Sequence, residues 1–127
     1  MKVLLDTNAL MVPEQFRVDI FSELERHGYL EFLVPRAVAE ELEAVSRNAK
    51  RGRDKVAAKV ALGLIKGCQM VEGRGDADSV LLELALDQGA AVFTNDKLLK
   101  KRLLSRGITV VYLRQCRYLD IAMRKEF

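Results

Sequence analysis

The feature that most restricts the fold is a set of short apolar runs with almost no polar residue interleaved. The segments "KVLLD" (2–6), "LEFLVP" (30–35), "AAVFTND" (90–96) and "ITVVYL" (108–113) each carry three or four consecutive core-type side chains. A strand with one wet face alternates polar and apolar, whereas a run apolar on both faces belongs to a parallel sheet covered on both sides. Between these runs the spacing turns helical, over 17–28, 36–48, 56–67, 78–89 and 97–107. In "RAVAEELEAVSRN" (36–48), for instance, Val38, Leu42 and Val45 form one stripe. "CQMVEG" (68–73) adds a less apolar strand. Strands alternating with helices predict an α/β fold, a three-layer α/β/α sandwich around a five-stranded, mainly parallel sheet.

A chain of 127 residues has the size of one domain, expected over 1–127. No apolar run approaches the ~20 residues of a membrane-spanning helix. Asp6 interrupts the opening apolar stretch, which argues against a secretory leader, so the expectation is a cytoplasmic protein with no membrane attachment. Cys68 and Cys116 stand 48 positions apart, outside any metal-binding spacing, and read as reduced thiols. His27 is the single histidine, which removes support for Ser/His or Cys/His catalysis and for HExxH zinc sites. Beside Gly28, it reads as a solvated helix-end residue.

The two most apolar strands end alike: "VLLDTN" (3–8) and "AVFTND" (91–96) both stop on Thr, Asn and Asp. In a parallel sheet the carboxyl ends of all strands lie at one edge, where ligands collect at the point of strand-order reversal. Asp6 and Asp96 can therefore converge although 90 residues separate them. Asp78 opens the 78–89 helix, and its helical neighbours Leu81, Leu82 and Ala85 form a packing face, so it should point inward. Asp76 aligns with Val80 and Glu83 and is the lesser candidate. Glu41 falls three positions after Val38 and four before Val45, on the expected buried side of its helix, whereas Glu40 is rotated about 100° away. Each has a plain structural reading as a helix cap or rim ion pair. Together they form four carboxylates with no adjacent basic residue at Asp6, Glu41 or Asp78, and clustered like charges strain a fold unless a cation neutralises them. An all-oxygen set without His or Cys selects a hard ion, Mg²⁺ or Mn²⁺. Such an ion suits phosphodiester hydrolysis, which needs no histidine and no covalent nucleophile.

Net charge alternates along the chain: −5 over 1–46, +6 over 47–66, −5 over 67–96 and +7 over 97–127. That separation suits a protein that holds cations while gripping a polyanion. Arg51, Arg53, Lys97, Lys100, Lys101 and Arg102 are the candidates to track the backbone of such a polyanion. The 8 aromatic residues do not cluster in sequence with these basic runs, so no base-stacking platform is expected.

On the segments "LLDTN", "VPRAVAEEL", "DADSVLLELA" and "VFTND", in that order along nearly the whole chain, the sequence resembles the PIN-domain nucleases. The resemblance implies acidic site residues at Asp6, Glu41, Asp78 and Asp96, a Mg²⁺- or Mn²⁺-dependent ribonuclease activity, and often a homodimer. It also implies that Thr7, Asn8 and Thr94 orient the carboxylates, and it assigns Asn95 no role. The run "TNDKLLKKRLLSRGITVVYLR" is similar to PIN nucleases that process small-subunit ribosomal RNA and to their archaeal relatives, with VapC-type toxins next. The implied partners are RNA and either an antitoxin or a ribosome-assembly factor. From other classes, a non-catalytic RNA-binding or assembly subunit would be expected to have lost one of the four carboxylates, and none is lost. A signalling receiver needs an acidic pair beside the first strand and a Lys after the fifth. Here those places hold Asp6 alone and Arg114. Nucleotide-binding motifs of the GxxxxGK[ST] or GxGxxG kind are absent from the sequence.

Overall fold

In a computed structural model, which describes residues 1–123, the apolar runs pair as one sheet. Its strands are β1 (Lys2–Leu5), β2 (Glu31–Pro35), β3 (Gln69–Val71), β4 (Ala91–Phe93), β5 (Val110–Arg114) and β6 (Tyr118–Ala122). Their order is β3-β2-β1-β4-β5-β6, with β6 antiparallel and the rest parallel. The central strands are sealed on both faces, as their composition requires: Val3, Leu4, Leu5, Val34, Val92, Phe93, Val110 and Val111 are fully buried. Helices supply the covering layers: α1 (Thr7–Phe16), α2 (Ile20–Arg26), α3 (Arg36–Asn48), α4 (Gly52–Leu64), α5 (Ala77–Gln88) and α6 (Lys97–Ser105). α1, α3 and α4 pack on one another, while α5 lies against β1, β2 and β4.

Four elements differ from the sequence expectation. The sheet has six strands among the described residues, not five, because β5 turns into β6. Gln115 and Cys116 take left-handed φ values of 53° and 55°, the demand of a type I′ hairpin turn normally met by Asn-Gly. A Gln-Cys pair gives no such cue. Residues 7–16, unassigned from sequence, form α1 in spite of Pro13, which removes one donor from the ladder but leaves the turn around it intact. The helix expected over 17–28 is the shorter α2, because Arg17 ends α1 at φ 57° and Asp19 caps α2 through Ser22 N. The basic stretch 47–55 breaks the helices only at 49–51, since Gly52 already opens α4. His27, expected to be solvated, is half-buried instead: its Nε2 lies 3.0 Å from the Leu119 carbonyl oxygen and ties α2 to β6.

The chain leaves β1 toward β2 and β3 on one side, then returns to β4 and β5 on the other. The reversal lies between β1 and β4, and their carboxyl ends form the crevice where open α/β sheets bind ligands.

Candidate active site

The β1/β4 register, Leu5 opposite Phe93, makes the next residues on each strand emerge side by side. Asp6 N donates to the Phe93 carbonyl at 3.0 Å, and Thr94 N to that of Val111 at 3.0 Å. Thr94, fully buried, then joins the two strand ends through its hydroxyl. The hydroxyl donates to Asp6 Oδ2 at 2.6 Å and accepts from Asp96 N at 3.1 Å. Asn8 Nδ2 donates to the same Asp6 oxygen at 3.3 Å, while Asn8 Oδ1 accepts from Asn95 N at 2.9 Å. Both aspartates also start helices. Asp6 Oδ1 accepts from Thr7 N at 2.7 Å, and Asp96 Oδ1 from Leu98 N and Leu99 N at 2.9 and 3.0 Å.

Glu41 on α3 and Asp78 in the first turn of α5 complete the acidic wall of a cleft of about 470 Å³, which Asp6, Thr7, Asn8 and Asp96 also line. The four carboxylates named from sequence thus face one space. Glu41 differs from expectation in one respect: it is exposed, not buried, because it stands at the rim of its helix stripe and looks into the open cleft. Asp76 is the N-cap of α5, its carboxylate accepting from Ser79 N at 3.1 Å, and is absent from the cleft lining. The loop before it lies tight on α5, since a Cβ on Gly73 would come within 2.7 Å of Val80 Cγ1. Sequence reasoning missed two charged lining residues, Lys50 and Asp54. Their cue was the 49–51 break, which brings the start of α4 over the cleft.

Burial pushes the Asp6 carboxyl above the ordinary Asp range, and the charges of Asp78 and Glu41 add to this. The Thr94 hydroxyl and the Thr7 amide pull the other way. Burial also raises Asp78, with the Asp96 charge adding and Arg102 opposing. The ion pairs among the described residues, Arg26–Glu23, Arg36–Glu72 and Arg114–Asp120, involve none of the four cleft carboxylates.

A model of the PIN like domain matches residues 3–116. Ribonuclease VapC9 of Archaeoglobus fulgidus is 38% identical over 111 residues, 87% of this chain and 82% of the relative. The chain belongs to the PIN-domain ribonuclease family. Ribonuclease VapC4 of Methanocaldococcus jannaschii is 33% identical over 126 residues, covering 94% and 95% of the two chains. Among solved structures, the PIN domain endonuclease Utp24 superposes with a TM-score of 0.77 over 96% of this chain and 91% of its own; at 21% identity the likeness is one of fold.

The donor chemistry of this PIN ribonuclease suits a hard cation that keeps much of its water. Among the described residues no group of three or more carboxylate, thiol or imidazole side chains is placed to hold a metal ion. Mg²⁺ commonly uses one or two carboxylates and completes its sphere with water and substrate phosphate. Thr7 lines the cleft, and its buried hydroxyl has no hydrogen-bond partner among the described residues, the kind of orphan that a bound ion or its water would satisfy.

The basic candidates of this PIN domain separate into three groups. Lys101 and Arg102 line a depression of about 450 Å³ that shares Asp78 and Asp96 with the acidic cleft. Arg51 and Arg53 line another pocket, joined to the cleft through Asp54. Lys100 instead lies 3.5 Å from the Tyr112 ring centroid, and Lys97 is exposed at the start of α6. Asn95, given no role from sequence, braces the site: its Oδ1 accepts from Leu113 N at 2.8 Å and pins the β4–α6 connection to β5. Asn95→Ala should cost about 1 kcal/mol of stability, read by urea denaturation.

Proposed function

We propose that this PIN ribonuclease hydrolyses RNA phosphodiester bonds with the help of Mg²⁺ or Mn²⁺. The observation that carries this reading is the convergence of Asp6, Glu41, Asp78 and Asp96 on one cleft, none of them ion-paired among the described residues. Asp6, Asp78 and Asp96 would hold one or two ions, and Glu41 would share in binding or orient the attacking water. When bound, the cation supplies a more acidic water and positive charge against the phosphate and leaving oxygen. Thr94 and Asn8 hold the Asp6 carboxylate in one orientation. Lys50 stands at the cleft as a cation for the phosphate. Lys101 and Arg102 on one flank, with Arg51 and Arg53 on the other, would give affinity without sequence choice.

The test is RNA cleavage by the purified protein with Mn²⁺: cutting that survives EDTA would end the proposal. A calorimetric titration showing no uptake at millimolar Mg²⁺ or Mn²⁺ would favour the non-catalytic RNA-binding or assembly reading.

A metal-free stability measurement checks the electrostatics separately. The folded pKa of Asp78 is raised above 3.8, so protonation of its carboxyl favours the folded state. That stabilisation is complete below 3.8 and is lost as pH rises through the higher folded value. At pH 7 in EDTA, Asp78→Asn should therefore raise the melting temperature by on the order of a degree. The advantage should shrink as pH falls toward 3.8, and the variant should lose the gain that wild type draws from added Mg²⁺.

The names of the two archaeal relatives favour a VapC-type toxin as the second reading, with an antitoxin as partner. Processing of small-subunit ribosomal RNA remains the first. The genomic neighbour distinguishes them: a small antitoxin-like frame supports the toxin, a ribosomal or processing gene the maturation enzyme. A homodimer is the proposed assembly, read by light scattering. No helix among the described residues is long and apolar enough to cross a membrane.

A further inference from the structure

Beside the acidic cleft, between the end of α1 and the start of α4, lies a pocket of about 600 Å³. Its walls differ from those of the cleft. Phe16 and Val56 expose apolar surface, 41% and 48% accessible, in a chain that buries most of its large hydrophobic side chains. Arg51 and Arg53 stand with them, both exposed and neither in an ion pair among the described residues. Glu14 and Gln15 add an acceptor and an amide. Asp54 belongs to this pocket and to the cleft, so the two spaces adjoin. The fold has thus brought an aromatic ring and two guanidinium groups together from positions 35 or more residues apart, where the sequence offered no stacking platform.

We propose that this pocket is a nucleotide subsite for single-stranded RNA: it takes the base next to the scissile phosphate against Phe16, with Arg51 and Arg53 on the adjoining backbone. The assignment rests on the ribonuclease reading above. A flat aromatic face beside paired guanidiniums matches the two chemistries of one nucleotide, a stacking surface and an anion. The volume lies within the ordinary range for small-ligand pockets. Glu14 and Gln15 can bond base-edge donors and acceptors, which would make the subsite a source of sequence preference. Contact with the cleft through Asp54 places the bound nucleotide one step from the bond to be cut.

The test uses the full chain in EDTA, where RNA binds but is not cut, and a fluorescein-labelled single-stranded oligoribonucleotide of mixed sequence, read by anisotropy. Phe16→Ala should weaken binding by about 5- to 150-fold, the range of one base-stacking contact. Phe16→Trp should restore it. With Arg51 and Arg53 both changed to Gln, the salt dependence of log K should become shallower by about 1.4, the share of two phosphate contacts on a single strand. With Mn²⁺ present, Phe16→Ala should raise KM for RNA with little change in kcat. Unchanged RNA affinity in both Phe16 variants, beside wild-type binding and cleavage, would overturn the subsite and leave the ribonuclease reading intact. Wild-type protein that neither binds nor cuts RNA would overturn both. Loss of a protein partner by Phe16→Ala with RNA affinity unchanged would assign the pocket to a polypeptide and overturn the proposal.

Discussion

Asp96→Asn should fold like the wild type and lose nearly all cleavage of RNA. The carboxylate has two duties that this substitution separates. As the N-cap of α6 it accepts from Leu98 N and Leu99 N through a single oxygen, Oδ1. An Asn side chain keeps an oxygen there and is as good a cap as Asp, so the helix start survives. The charge is lost, and with it one of the three groups proposed to hold the cation. Charge stabilisation by a bound metal contributes several kcal/mol to the transition state, so cleavage with Mn²⁺ should fall by about a thousandfold. Circular dichroism and the melting temperature should change little. Cleavage at the wild-type rate in the folded variant would remove Asp96 from the proposed site.

Thr94→Val is the second large effect, and it acts through a residue that carries no charge. The two side chains are nearly the same shape, so the fully buried site neither opens a cavity nor overpacks. What disappears is the hydroxyl that donates to Asp6 Oδ2 at 2.6 Å and accepts from Asp96 N at 3.1 Å. Asp6, already pushed toward the protonated form by burial, loses the hydrogen bond that most favours its charge. The expected result is a loss of about 1–3 kcal/mol in stability and of about 10- to 100-fold in metal affinity or activity. Thr94→Ser keeps the hydroxyl and should recover most of the activity. Chemical denaturation and Mn²⁺ titration of the two variants read both effects.

The strands and the acidic constellation were legible because they depend on local composition and on one topological rule. Runs such as "VLL" and "AVF" could only be doubly covered strands, and the edge at which parallel strands end brought Asp6 beside Asp96. The pattern also separated Asp78 from Asp76, since a residue's helical neighbours declare which way it faces. It failed where three-dimensional proximity has no local sign. Lys50 and Asp54 reach the cleft only because α4 begins at Gly52, four residues sooner than the apolar spacing suggests. The Asn95 bracket to Leu113 joins residues 18 apart through a side chain that looks like ordinary turn chemistry. The β5–β6 hairpin stayed hidden because its left-handed turn is built from Gln and Cys. Glu41 was placed on the correct helix edge but at the wrong depth, since a stripe's border residue can border either protein or a crevice.

Asp96 begins a helix through one oxygen alone, and this has an evolutionary consequence. Exchange of one carboxyl oxygen for an amide nitrogen at Asp96 would keep the acceptor at the start of α6, so a descendant could surrender its chemistry in one conservative step. It would still present the same basic flanks to a polyanion. A hydrolase built this way stands one codon from a binding protein.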